Sequence, residues 1–103
     1  MTIYALSTVQ GQSGVAIIRV SGPLAESTIY KLTKKKLKPR KATLCKIFNS
    51  KKEVLDEAVV IYFEKNKSFT GESVAEFQTH GGEAIIRSVV NELSKTDGLR
   101  PAE

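Results

Sequence analysis

Apolar positions along the chain change their period several times, and each period predicts an element. Residues 15–20 (Val-Ala-Ile-Ile-Arg-Val) are β-branched and nearly all apolar, which predicts a buried central strand. Residues 73–79 alternate instead, with Val74, Glu76, Gln78 and His80 pointing one way and Ala75, Phe77 and Thr79 the other. A first strand is predicted over 3–6. Two more, over 42–48 and 58–63, flank a polar stretch of hairpin length at 49–53. Helical spacing appears twice. Ala25, Ile29 and Leu32 follow Ser21-Gly22-Pro23, with Pro23 suited to the first helical position. Ile85, Ile86, Val89, Val90 and Leu93 form one stripe of a helix over 83–95, closed by Asp97-Gly98. The pattern predicts an α+β fold, a mixed β-sheet of about five strands with two or three helices against it. Residues 98–103 carry no predicted element and read as the edge of a domain cut from something longer.

The chain has 103 residues, of which 41% are hydrophobic and 26% charged, so one small domain with a core of its own is expected over 1–103. No stretch reaches the ~18 apolar residues of a membrane helix. The first residues lack the basic-then-apolar order of a secretion signal, so a cytoplasmic location is expected. The single cysteine excludes an internal disulfide, and with one histidine it is too little for a zinc site. Neither Gly-x-x-x-x-Gly-Lys-Ser/Thr nor Gly-x-Gly-x-x-Gly occurs in the sequence, and no nucleophile stands beside a base of its own.

Charge is unevenly distributed. From Lys31 to Lys52 there are ten basic residues and no acidic one, while the remainder of the chain is net negative. Such a segment is either a solvated connector behind a helix or a contact for a polyanion, with Lys34, Lys35 and Lys36 as the nucleic-acid candidates. Phe48 is its one phenylalanine and it has no tyrosine, so a base-stacking platform is not expected there.

Arg19, inside an apolar strand, needs an anion. Glu76, mid-strand beside Phe77, is either its ion-pair partner or a carboxylate held for the paired N–H donors of a heterocycle. Ser68-Phe69-Thr70-Gly71-Glu72 reads as a tight turn, with Gly71 at positive φ and Phe69 plugging the core. His80-Gly81-Gly82 precedes a helix, so it is either a plain strand-to-helix turn or a place where an anion meets free N–H groups. His80 has no catalytic partner legible in the sequence. Cys45 reads as a small core residue.

In order along the chain, these segments resemble the amino-terminal domain of the tRNA-modification GTPase family (MnmE, also called TrmE). The resemblance rests on Ile3-Tyr4-Ala5-Leu6-Ser7-Thr8, on Gly14 followed by Val15-Ala16-Ile17-Ile18-Arg19-Val20-Ser21-Gly22, and on Lys38-Pro39-Arg40. It continues with Asp56-Glu57-Ala58-Val59-Val60, with Ser68-Phe69-Thr70-Gly71-Glu72 leading to Glu76, and with His80-Gly81-Gly82. One departure is Gly11-Gln12-Ser13-Gly14, where the family commonly carries Gly-Arg-Gly-Gly.

The resemblance implies a fold like the tetrahydrofolate-binding domain of aminomethyltransferases, homodimerisation, and binding of 5-formyl- or 5,10-methylene-tetrahydrofolate. Arg19 and Glu76 fall on the family's folate contacts, and Ser21, Phe69, Thr70, His80, Gly81 and Gly82 are weaker candidates. Family members are several times longer and also use GTP, Mg and K in parts absent from this chain. They act with a flavin-dependent partner of the MnmG (GidA) type to place an aminomethyl-type group on C5 of the wobble uridine of certain tRNAs. A fragment of a folate-dependent aminomethyltransferase, a basic tRNA-binding module without a small ligand, and a purely structural dimer module stand as alternatives.

Overall fold

The computed structural model describes residues 1–9, 14–66 and 71–103. Within them, six strands form one sheet: β1 (Thr2–Val9), β2 (Val15–Ser21), β3 (Thr43–Phe48), β4 (Val54–Phe63), β5 (Val74–His80) and β6 (Leu99–Pro101). Helix α1 (Ala25–Thr33) follows β2, and α2 (Glu83–Ser94) follows β5. The strand order is β3-β4-β5-β2-β1-β6. Every pair is antiparallel except β1 with β6, which is parallel and makes the sheet mixed.

The two helices cover one face. Ile29 and Leu32 of α1 and Val89 and Leu93 of α2 join a single buried cluster with Ile18, Val20, Ile47, Val60 and Phe77 of the sheet. Each such fully buried side chain contributes about 1.5–3 kcal/mol. Antiparallel strands with one covered face alternate in burial, and β5 does so as its sequence predicts.

The expectation for residues 15–20 needs correction on this ground. Ala16, Ile18 and Val20 are fully buried, but Ile17 is half-buried and Arg19 exposed, because both described helices lie over the other side of the sheet. An apolar run does not distinguish a strand buried on both faces from one whose second face carries Ile17 beside a polar cluster.

Two other expectations also change. Residues 99–101 form a strand, its register set by Thr2↔Leu99 and Tyr4↔Pro101, and Ala102 donates its N–H to the Tyr4 carbonyl at 2.8 Å. Pro101 sits at the sheet's edge, where a missing donor costs nothing. Helix α1 starts later than Pro23, which lies in the preceding turn. Its N-cap is Leu24, whose backbone N–H donates to the Thr2 hydroxyl at 3.1 Å. The turn depends on Gly22 at φ +137°, where a Cβ would stand 2.6 Å from the Met1 carbonyl oxygen.

Candidate functional site

The uncovered face of the sheet carries Arg19, Glu76 and Ser21 of the sequence-predicted residues. Register places Ala5, Arg19, Glu76 and Ile61 side by side across β1, β2, β5 and β4. On one side runs a row of Ile3, Ser21, Val74 and Phe63, and on the other Ile17, Gln78, Val59 and Leu44. Among the described residues, a guanidinium and a carboxylate therefore lie within a largely apolar surface that neither helix covers. Leu44 is 60% exposed, and Ile17, Val59, Ile61 and Phe63 are half-buried.

Arg19 and Glu76 meet. The Arg19 Nε–H donates to Glu76 Oε1 at 3.1 Å, and Gln78 Nε2 donates to Oε2 at 2.8 Å. The pair is open rather than sealed, with the Arg19 side chain 49% exposed and that of Glu76 12%. A carboxylate has about four lone-pair directions, so among the described residues two remain on Glu76, and four guanidinium N–H groups remain on Arg19. Two neighbours thus fix the orientation of Glu76 and leave it able to accept a pair of parallel N–H donors, while Ile17 and Ile61 offer apolar surface to a ring. This donor and acceptor set can receive a heterocycle that presents paired N–H groups.

The weaker candidates divide. Ser21 lies on the same face, and its hydroxyl donates to Glu72 Oε2 at 2.9 Å. Phe69 and Thr70, with the core-plugging role expected of Phe69, lie outside the described residues, and so do residues 10–13. Gly71 has the positive φ expected of it, +81°. Gly81 has a structural reason: its N–H donates to the Gly14 carbonyl at 2.9 Å, and a Cβ would come within 2.7 Å of that oxygen. Gly82 is the extended N-cap of α2.

His80 has the partner that sequence reasoning missed. Its Nδ1 lies 2.7 Å from Asp56 Oδ1, and its backbone N–H donates to Asp56 Oδ2 at 2.9 Å. The ring is 72% exposed and the Asp56 side chain 7%, so the carboxylate fixes the ring and leaves Nε2 as its free nitrogen. The signal was indirect, since the contact joins β4 to the end of β5 between residues 24 apart in the chain.

Lys34, Lys35 and Lys36 do not join this face. Lys34 is the left-handed C-cap of α1, and Lys35 and Lys36 line a hollow beside Tyr30 and Tyr62. Cys45 is a core residue as expected, and burial pushes its thiol up, with Lys35 opposing in part. Among the described residues no cluster of side chains could hold a metal ion.

The family model described as "GTP-binding protein TrmE N-terminus" matches residues 2–103. A Campylobacter curvus protein named "tRNA modification GTPase MnmE" is 50% identical over 98% of this chain and 23% of its own length. A Wolbachia protein of the same name is 47% identical over 91% of the chain and 22% of its length. The Danio rerio "5-taurinomethyluridine-[tRNA] synthase subunit GTPB3, mitochondrial" is 48% identical over 99% of the chain and 21% of its length. The chain thus spans between a fifth and a quarter of these relatives. With a matching model over nearly its whole length, the chain belongs to the TrmE amino-terminal family, the N-terminal domain of the tRNA-modification GTPases.

Proposed function

We propose that this domain binds a reduced folate, 5-formyl- or 5,10-methylene-tetrahydrofolate, on the uncovered face of its sheet and pairs there with a second copy of itself. The observation that carries the reading is the Arg19–Glu76–Gln78 cluster, a carboxylate oriented by two donors and still accessible within an apolar surface. Glu76 would accept the N–H fork of the pterin and Arg19 would donate to the folate, with Ser21 and His80 at the two ends of the site. The folate would supply a one-carbon unit, and this chain's residues hold and orient it.

In the longer protein of which relatives carry the name, the domain would serve a GTPase that modifies the wobble uridine of certain tRNAs, with a flavin-dependent partner of the MnmG type. GTP, Mg and K would belong to other parts of that protein. No helix among the described residues is long and apolar enough to cross a membrane. A cytoplasmic location is part of the proposal, and one relative is named as mitochondrial.

The test is equilibrium binding of 5-formyl-tetrahydrofolate and of tRNA to the full-length protein at two salt concentrations. Pterin recognition by hydrogen bonds changes little with salt, whereas phosphate contacts weaken steeply. Binding of tRNA with no measurable folate affinity would favour the basic-module alternative and reject this reading.

A further inference from the structure

The lysine-rich segment holds an arrangement that folate binding does not use. Between α1 and residues 35–37 lies a hollow of roughly 380 Å³, formed by Ile29, Tyr30, Leu37 and Tyr62 with Lys35 and Lys36 at its rim. Leu37 is buried, and Tyr30 is 60% exposed on the helix surface. The segment is tied to the sheet by the Arg40 N–H, which donates to the Tyr62 carbonyl at 2.7 Å. An aromatic platform is therefore present beside the lysines, brought there by residues from α1 and β4 that the sequence separates.

Among the described residues, no ion pair neutralises the charge around it. Lys34, Lys35, Lys36, Lys38, Arg40 and Lys41 are all exposed, and none forms an ion pair among the described residues. One anion, Glu26, lines the hollow. Cations just past a helix C-terminus are favoured by its dipole, but that effect fades within a turn and does not reach Lys38, Arg40 or Lys41.

The backbone adds a separate observation. Lys34 and Arg40 both have φ of 62°, in the left-handed region where glycine is favoured. Glycine at either position would ease the backbone while removing a cation, so the exchange separates folding from charge.

We infer that this hollow takes one unstacked base of a single-stranded RNA segment, stacked on Tyr30, with the flanking phosphates on Lys35, Lys36 and the neighbouring cations. Phosphates alone have no use for the apolar floor, and an apolar ligand alone has none for six unpaired cations. A basic rim around an aromatic platform is the combination with which proteins hold unpaired strands. The choice of RNA over DNA rests on the proposed function; the hollow itself does not.

The experiment uses the full-length protein and a fluorescein-labelled single-stranded RNA 12-mer, with a matching 12-base-pair RNA duplex and heparin as competitors. A second 12-mer carries 2-aminopurine to report stacking. Tyr30→Ala should weaken single-strand binding at least about fivefold and abolish the 2-aminopurine signal, with an unchanged salt dependence. Lys35→Ala with Lys36→Ala should lower the slope of log affinity against log salt by about 1.4. Lys34→Gly with Arg40→Gly should raise the melting temperature while weakening RNA binding, a combination that a role in folding alone would not produce. Single-strand affinity unchanged in Tyr30→Ala, or duplex or heparin competing as well as the single strand, would overturn the inference. Folate titration of the same variants separates the two readings, since loss of folate binding in the unaltered protein would remove the proposed function and leave this result standing.

Discussion

One carboxylate, that of Asp56, holds His80 twice, through the ring Nδ1 at 2.7 Å and the backbone N–H at 2.9 Å. Because Asp56 is on β4 and His80 ends β5, the contact locks the sheet where the chain turns toward Gly81-Gly82 and α2. Asp56→Ala should destabilise the domain by about 1–3 kcal/mol, the scale of a lost charge-assisted hydrogen bond at a mostly buried site. Urea denaturation of the two forms measures it, and Asp56→Asn should recover part of the loss because its amide oxygen can still accept one bond.

Gly22 should tolerate no side chain. Its φ of +137° is strained for any L residue, and an added Cβ would stand 2.6 Å from the Met1 carbonyl and 2.7 Å from the Thr2 Cα. Gly22→Ala is expected to cost more than about 2 kcal/mol, strain and overlap acting together. Gly71→Ala, also at positive φ but with open space around the added atom, should cost about 1 kcal/mol. Thermal denaturation of both variants tests the order.

Cys45 should give the domain a pH dependence in the alkaline range. Burial pushes its thiol up from the ordinary value of about 9, so the folded chain holds that proton more tightly than the unfolded one. The stability linked to the proton is full below that value and declines as pH rises above it. Urea midpoints at pH 8 and pH 10 should fall further in the native sequence than in Cys45→Ala. The folded protein should also resist iodoacetamide at neutral pH, since the thiolate is the nucleophile.

Long periodic segments were the most legible in the sequence. The stripe of α2 and the alternation of β5 describe elements that bury one side, and one-sided burial is what periodicity records. Residues 15–20 were harder, because Ile17 looks the same whether a helix or solvent lies beyond it. Strand β6 was not legible, since three residues have no period and only the fold shows Leu99 paired with β1 and buried in the core. The site was half legible. Arg19 and Glu76 stood out as charges among apolar neighbours, with an ion pair between them as one of two readings, but Gln78's share in it and the Asp56–His80 contact emerge only in the folded sheet. Tyr30 and Tyr62 were invisible as partners of the lysines because α1 and β4 meet only in the folded chain.

Calorimetric titration of 5-formyl-tetrahydrofolate into the full-length protein and its Glu76→Ala form bears most directly on the role given to Glu76. Because Glu76 lies on the uncovered face and Arg19 stays half exposed, the substitution should leave the fold intact. It should weaken folate binding at least about tenfold, the scale of a lost charge-assisted pair of hydrogen bonds. Equal folate affinity in the two forms would contradict the account and leave the Arg19–Glu76 contact as an ordinary cross-strand ion pair.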